Sequence, residues 1–86
     1  MNFELSLHAQ KEMRRREISP QQVERVLDSP QQILTQADGV KIYQSQVNFP
    51  SGKRYLIRIF LNTAVDPAIV VTLYRTSKIQ KYWEKP

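Results

Sequence analysis

Residues 53–61 read KRYLIRIFL, and their two-residue period decides the fold. Tyr55, Ile57, Ile59 and Leu61 fall on one face of a strand, while Arg54, Leu56 and Arg58 fall on the other. Just upstream, Pro50-Ser51-Gly52 supplies a turn, and the preceding residues 32–36 and 40–47 alternate in the same way around Asp38-Gly39, the signature of a strand pair. Downstream, a loop around Asp66-Pro67 leads to a last strand over residues 68–75, in which Ile69, Val71 and Leu73 share a face. Matching the apolar rows places Ile57 near Leu73 and Ile59 near Val71, because a one-residue slip would turn a whole row outward. That register puts Arg58 opposite Thr72 and Leu56 opposite Tyr74, with Arg54 near the strand end, and predicts a basic, hydroxyl-bearing second face.

The first third of the chain has helical spacing. Phe3-Glu4-Leu5 reads either as a short strand or as an extended lead-in, and Ser6 then caps a helix running to about residue 16. Leu5, Ala9 and Met13 make its buried stripe, His8, Glu12 and Arg16 border that stripe, and Lys11, Arg14 and Arg15 face water. Ser19, Pro20 and Gln22 start a second helix with a capping box, Val23, Val26 and Leu27 are its apolar stripe, and Ser29-Pro30 ends it. At the other end, Ser77 and Gln80 predict a capped helix over residues 76–83, with Ile79, Tyr82 and Trp83 as packing residues. The expectation is a single α+β domain over residues 1–86: an N-terminal helical hairpin on a curved antiparallel sheet of about four strands, with a short C-terminal helix.

Charge separates the two halves. Residues 1–50 balance acid against base, whereas residues 51–86 carry Lys53, Arg54, Arg58, Arg75, Lys78, Lys81 and Lys85 against only Asp66 and Glu84, so the net charge of +5 belongs to the second half. Such a field favours polyanionic partners, RNA or an acidic protein. The absence of cysteine points to a reducing cytoplasm, and the lack of a long apolar run points away from a membrane partner.

One histidine, no cysteine and scattered carboxylates do not make a metal site, so neither a metal nor another cofactor is expected. Metal-free RNA cleavage needs less, because RNA supplies its own nucleophile, the 2′-hydroxyl, and the protein supplies a base, an acid and cations. His8 is the candidate base, Arg58 and Arg75 hold phosphate, and Tyr74 or Lys78 protonates or stabilises the leaving oxygen. Arg16, Lys53 and Arg54 complete the candidate RNA-binding set, and Arg75 with Lys78 at the start of the last helix suggests a phosphate-sized site. Two other readings fit the same residues: a basic module that binds RNA or an acidic protein without catalysis and uses His8 structurally, and a plain structural subunit.

His8-Ala9, Met13, Arg16, Ile18-Ser19, the helix ending at Ser29-Pro30 and the closing run Val71-Thr72-Leu73-Tyr74-Arg75-Thr76-Ser77-Lys78 together resemble a family of small bacterial domains of unknown function, number 4258. That family looks related to the RelE-like and BrnT-like toxins, so the resemblance implies helices on a curved antiparallel sheet, a metal-independent ribonuclease, and a toxin paired with an antitoxin. It matches His8 to the family's helical histidine, Arg16 to its arginine, and Thr72 and Tyr74 to its closing-strand polar positions. Glu12 departs from the basic residue that relatives often carry there, and one turn from His8 it either orients the imidazole or repels phosphate.

Overall fold

A computed structural model describes residues 1–86. In chain order the elements are β1 (Phe3–Leu5), α1 (Leu7–Arg15), α2 (Pro20–Asp28), β2 (Gln32–Thr35), β3 (Val40–Asn48), β4 (Arg54–Asn62), β5 (Ala68–Thr76) and α3 (Ile79–Tyr82). The strands form one five-stranded sheet in the order β1-β5-β4-β3-β2. β2 to β5 pair antiparallel, as their alternation predicts, but β1 lies parallel to β5, with Phe3 opposite Ala68 and Leu5 opposite Val70. The expected four-stranded antiparallel sheet is therefore corrected to a five-stranded mixed one. A three-residue segment is too short to show a period, and only its partner at the far end of the chain makes it a strand.

Both N-terminal helices start where the sequence places them. The Ser6 hydroxyl accepts from the Ala9 N–H at 3.0 Å. Ser19 accepts from the Gln22 N–H at 3.1 Å while the Gln22 side chain accepts from the Ser19 N–H at 2.8 Å, a complete capping box. Between them the chain reverses at Glu17, which has φ of 55°. Its N–H donates to the Arg14 carbonyl and the Ile18 N–H to the Met13 carbonyl, the two bonds of a Schellman motif, with Ile18 and Met13 both buried beneath it. α1 then packs chiefly on β5, and α2 on β3 and β4. Ala9, Met13, Val23, Val26 and Leu27 join Ile57, Ile59, Leu61, Val70 and Leu73 in one apolar core on a single face of the sheet. No helix is long and apolar enough to cross a membrane.

The β4–β5 pairing differs from expectation by two residues. Ile59 faces Leu73, Ile57 faces Arg75, Arg58 faces Tyr74 and Leu56 faces Thr76. A two-residue slip preserves faces, so the second-face assignment of Arg58, Thr72 and Tyr74 survives with different partners. Beyond Phe60 the register moves back by one residue, since Phe60 faces Thr72 and Leu61 faces Val70. Val71 is the extra residue of this bulge; it is exposed, and Val70 is buried in its place, correcting the predicted row of Ile69, Val71 and Leu73. The Val71 carbonyl accepts from the Ser6 hydroxyl at 2.9 Å, and the Val70 carbonyl from the Ser6 N–H at 3.1 Å, so the bulge is where α1 leaves β1.

The β2–β3 turn carries positive φ at both Asp38 (65°) and Gly39 (76°), the arrangement of a type I′ hairpin turn. A Cβ built on Gly39 would lie 2.9 Å from that of Ala64. Gly39→Ala is therefore expected to destabilise by about 2 kcal/mol, the left-handed cost plus the clash. Thermal unfolding followed by circular dichroism checks it, and an unchanged midpoint would contradict the turn assignment.

Candidate functional site

The face of the sheet away from α1 and α2 is built around Arg58. Its position in the middle of β4, with Gln44 opposite on β3 and Tyr74 opposite on β5, leaves the residue 8% exposed, and it is the only buried charged residue. Nε donates to the Gln44 side-chain oxygen at 2.9 Å and Nη1 to the Tyr74 hydroxyl at 2.8 Å. The guanidinium carbon lies 4.5 Å from the Tyr82 ring centroid, with the Phe60 and Tyr74 rings at 5.6 and 5.8 Å. None of the ion pairs involves Arg58. A cation taken out of water without a counter-charge is costly, and neutral acceptors and aromatic faces offset only part of that cost. Nη2 has no protein partner, and no fully buried side-chain polar atom lacks one, so Nη2 reaches the surface as a single open edge.

α1 brings two more groups to this face. His8, Glu12 and Arg16 recur every four residues along it, and β5 runs beside them. His8 Nε2 lies 3.0 Å from the Thr72 hydroxyl, and the Arg16 guanidinium is 5.8 Å from the Tyr74 ring centroid. Thr72 and Tyr74 are separated by one intervening residue, hence by about 7 Å along the strand. The structure thus brings together His8, Thr72, Tyr74, Arg58 and Arg16, five of the residues singled out from sequence.

The remaining candidates lie elsewhere. Arg75 faces Ile57 on the helix-covered side, where it stacks on Phe49 at 4.3 Å and Tyr55 at 4.5 Å and pairs with Glu17 at 3.5 Å. Lys53 sits over Tyr55 at 5.5 Å, and Arg54, at the start of β4, donates to Asn48 at 3.2 Å. The last helix does not begin as expected. β5 continues to Thr76, whose hydroxyl accepts from the Lys78 N–H at 3.1 Å, so α3 is a single turn capped by Lys78 without a side-chain bond, and the predicted Ser77–Gln80 capping box is absent. Tyr82, read from sequence as packing, instead covers the Arg58 guanidinium. Gln44 and Gln32 also went unread, although alternating glutamines on one face of a predicted strand are a signal that such a face is polar and satisfied in pairs: Gln44 donates to Gln32 at 2.8 Å.

Two titrations belong to this face. The Tyr82 hydroxyl is held below its ordinary range, first by the Lys81 charge and then by Tyr74 and Arg58. The Glu12 carboxyl is held below its usual value of 4.5, first by the Arg16 hydrogen bond at 3.0 Å and also by Arg15 at 3.3 Å. A depressed carboxyl contributes stability above its ordinary value and loses it as pH falls through the depressed one. Glu12→Gln is therefore expected to flatten the acid limb of the stability profile. Thermal unfolding followed from acid to neutral pH tests this, and an acid limb unchanged from the parent would contradict the Glu12–Arg16 pairing.

A protein-family model described as Domain of unknown function (DUF4258) matches residues 5–78, from the last residue of β1 to the cap of α3. The match takes in His8, Arg16, Arg58, Thr72 and Tyr74 and stops short of Tyr82. Comparison with curated proteins and with solved structures finds no match.

Proposed function

The chain belongs to the Domain of unknown function (DUF4258) family, and from its second sheet face we propose a metal-independent endoribonuclease that cleaves RNA by 2′-hydroxyl attack. The observation that carries this reading is the placement of an exposed imidazole, His8, and the guanidinium of a buried, unpaired Arg58 against two alternate residues of β5, Thr72 and Tyr74. With the proton on Nδ1, His8 Nε2 accepts from Thr72, and a 2′-hydroxyl taking that place gives up its proton to Nε2. O2′ then bonds to the adjacent phosphorus while the bond from phosphorus to O5′ breaks. Arg58 Nη2 and Arg16 hold the non-bridging oxygens as charge builds on them. Tyr74 accepts from Arg58, which leaves its own hydroxyl hydrogen free to pass to O5′. The products are a 2′,3′-cyclic phosphate and a 5′-hydroxyl.

This reading also aligns the chain with RelE-like and BrnT-like toxins and makes it the toxin of a type II pair. An acidic antitoxin laid over Arg16 and Arg58 would silence it by occupying the phosphate positions. Incubation of purified protein with RNA in EDTA, followed by end analysis, tests the chemistry: cyclic-phosphate ends are expected, and intact RNA would refute it. The His8–Thr72 hydrogen bond also suits a second reading, a non-catalytic RNA-binding module in which that pair only anchors α1 to β5. It predicts salt-sensitive binding without scission.

A further inference from the structure

Residues 79–86 cross the second face above Arg58, and the bonds that hold them there are polar. The Tyr82 carbonyl accepts from Gln44 Nε2 at 3.1 Å. Glu84 is gripped through both backbone groups by Gln32: its carbonyl accepts from Nε2 at 2.7 Å and its N–H donates to Oε1 at 3.1 Å. The Tyr82 ring rests on the Arg58 guanidinium at 4.5 Å. α3 has four residues, none of them buried, and no side-chain cap, far less than a helix needs to persist by itself. The segment is held by three side-chain amide bonds, one cation–π contact and an edge-on contact between the Tyr82 and Tyr74 rings, and all but the last can be replaced by water or an anion. It also lies beyond residues 5–78, the span matched by the family model.

We infer that residues 79–86 are a removable strap over the guanidinium face of Arg58, an internal competitor that an RNA strand displaces. The inference rests on Arg58 as the group that holds phosphate. A phosphate offers two oxygens to a planar guanidinium, a stronger and more directional partner than an aromatic face. Lifting the strap frees more than Arg58. The Gln44 and Gln32 amides, on β3 and β2, keep their bond to each other but each gives up its strap partner, and they extend a donor-lined path across the sheet from His8 and Thr72 on β5 through Arg58 on β4.

Trp83, the only tryptophan, is half-buried within the strap and reports its position. Gln32→Ala removes both bonds to Glu84. In the protein alone, the variant is expected to shift Trp83 emission to the red. Phenylglyoxal should modify Arg58, mapped by mass spectrometry, about tenfold faster than in the parent, while the rate at Arg75, outside the strap, stays constant. Tyr82→Ala, with its fold verified by circular dichroism, is expected to accelerate Arg58 modification likewise. Unchanged Arg58 reactivity in both variants overturns the strap. These measurements contain no RNA, so failure to cleave or bind RNA would refute the proposed function without touching them. With a single-stranded oligonucleotide, the parent should show the same red shift on binding, and binding that leaves Trp83 emission unmoved overturns the competition.

Discussion

His8→Ala is expected to lower metal-free RNA cleavage by about 10²- to 10⁴-fold, the usual contribution of a positioned general base. RNA affinity should be retained, because the proposed function assigns the phosphate to Arg58 and Arg16 and not to the imidazole. The substitution is at an exposed position, so the fold should survive: the buried positions of α1 are Ala9 and Met13, and the lost bond to Thr72 is a solvent-exposed one. Cleavage rates in EDTA and binding isotherms measured on the same preparation separate the two effects. Equal loss of binding and cleavage would make His8 a contact residue, and undiminished cleavage would remove it from the chemistry.

Arg58→Ala should produce the second large effect, on stability as well as binding. The substitution leaves Gln44, which is fully buried, without its Nε donor, removes the donor to Tyr74, and opens a gap beneath Tyr82. Together these cost about 2–4 kcal/mol, which for a domain of this size lowers the melting temperature by roughly 10–20 °C. Arg58→Lys keeps the charge but loses the planar fork, so it should bind RNA at least about tenfold more weakly than the parent if phosphate contacts the guanidinium in a directed way. Calorimetric melting together with RNA titration below the transition tests both parts. A lysine variant that binds as the parent does would reduce Arg58 to a diffuse charge.

Much of this architecture could be read locally. Ser6 and Ser19 announce their helices because capping involves only the cap and the three residues after it, and the alternation in residues 53–61 assigns Arg58 to the face opposite Ile57 and Ile59 whatever its partner. The border stripe of His8, Glu12 and Arg16 follows from helical period alone. What could not be read locally depends on distant chain: the parallel pairing of β1 with β5, the two-residue difference in the β4–β5 register, and the bulge that exposes Val71. Parity is written in each strand, but absolute register depends on turn length and on how α1 leaves the edge of β5 at Ser6. Arg75 and Arg58, equally prominent in the sequence, lie on opposite faces by parity alone, since Arg75 shares a face with Leu73 and Arg58 lies opposite Ile57 and Ile59.

The candidate site divides in the same way. Residue type and period determined that His8 and Arg16 border the core stripe of α1, that Thr72 and Tyr74 share a strand face, and that the positive charge lies in the second half of the chain. Tertiary structure alone decided that β5 carries those hydroxyls to the edge where α1 runs, so that His8 meets Thr72 and Arg58 meets Tyr74. It also decided that Tyr82 covers Arg58 instead of packing in a core, because side-chain partners are selected by the meeting of elements far apart in sequence, and spacing within one element carries no information about which other element will lie across from it.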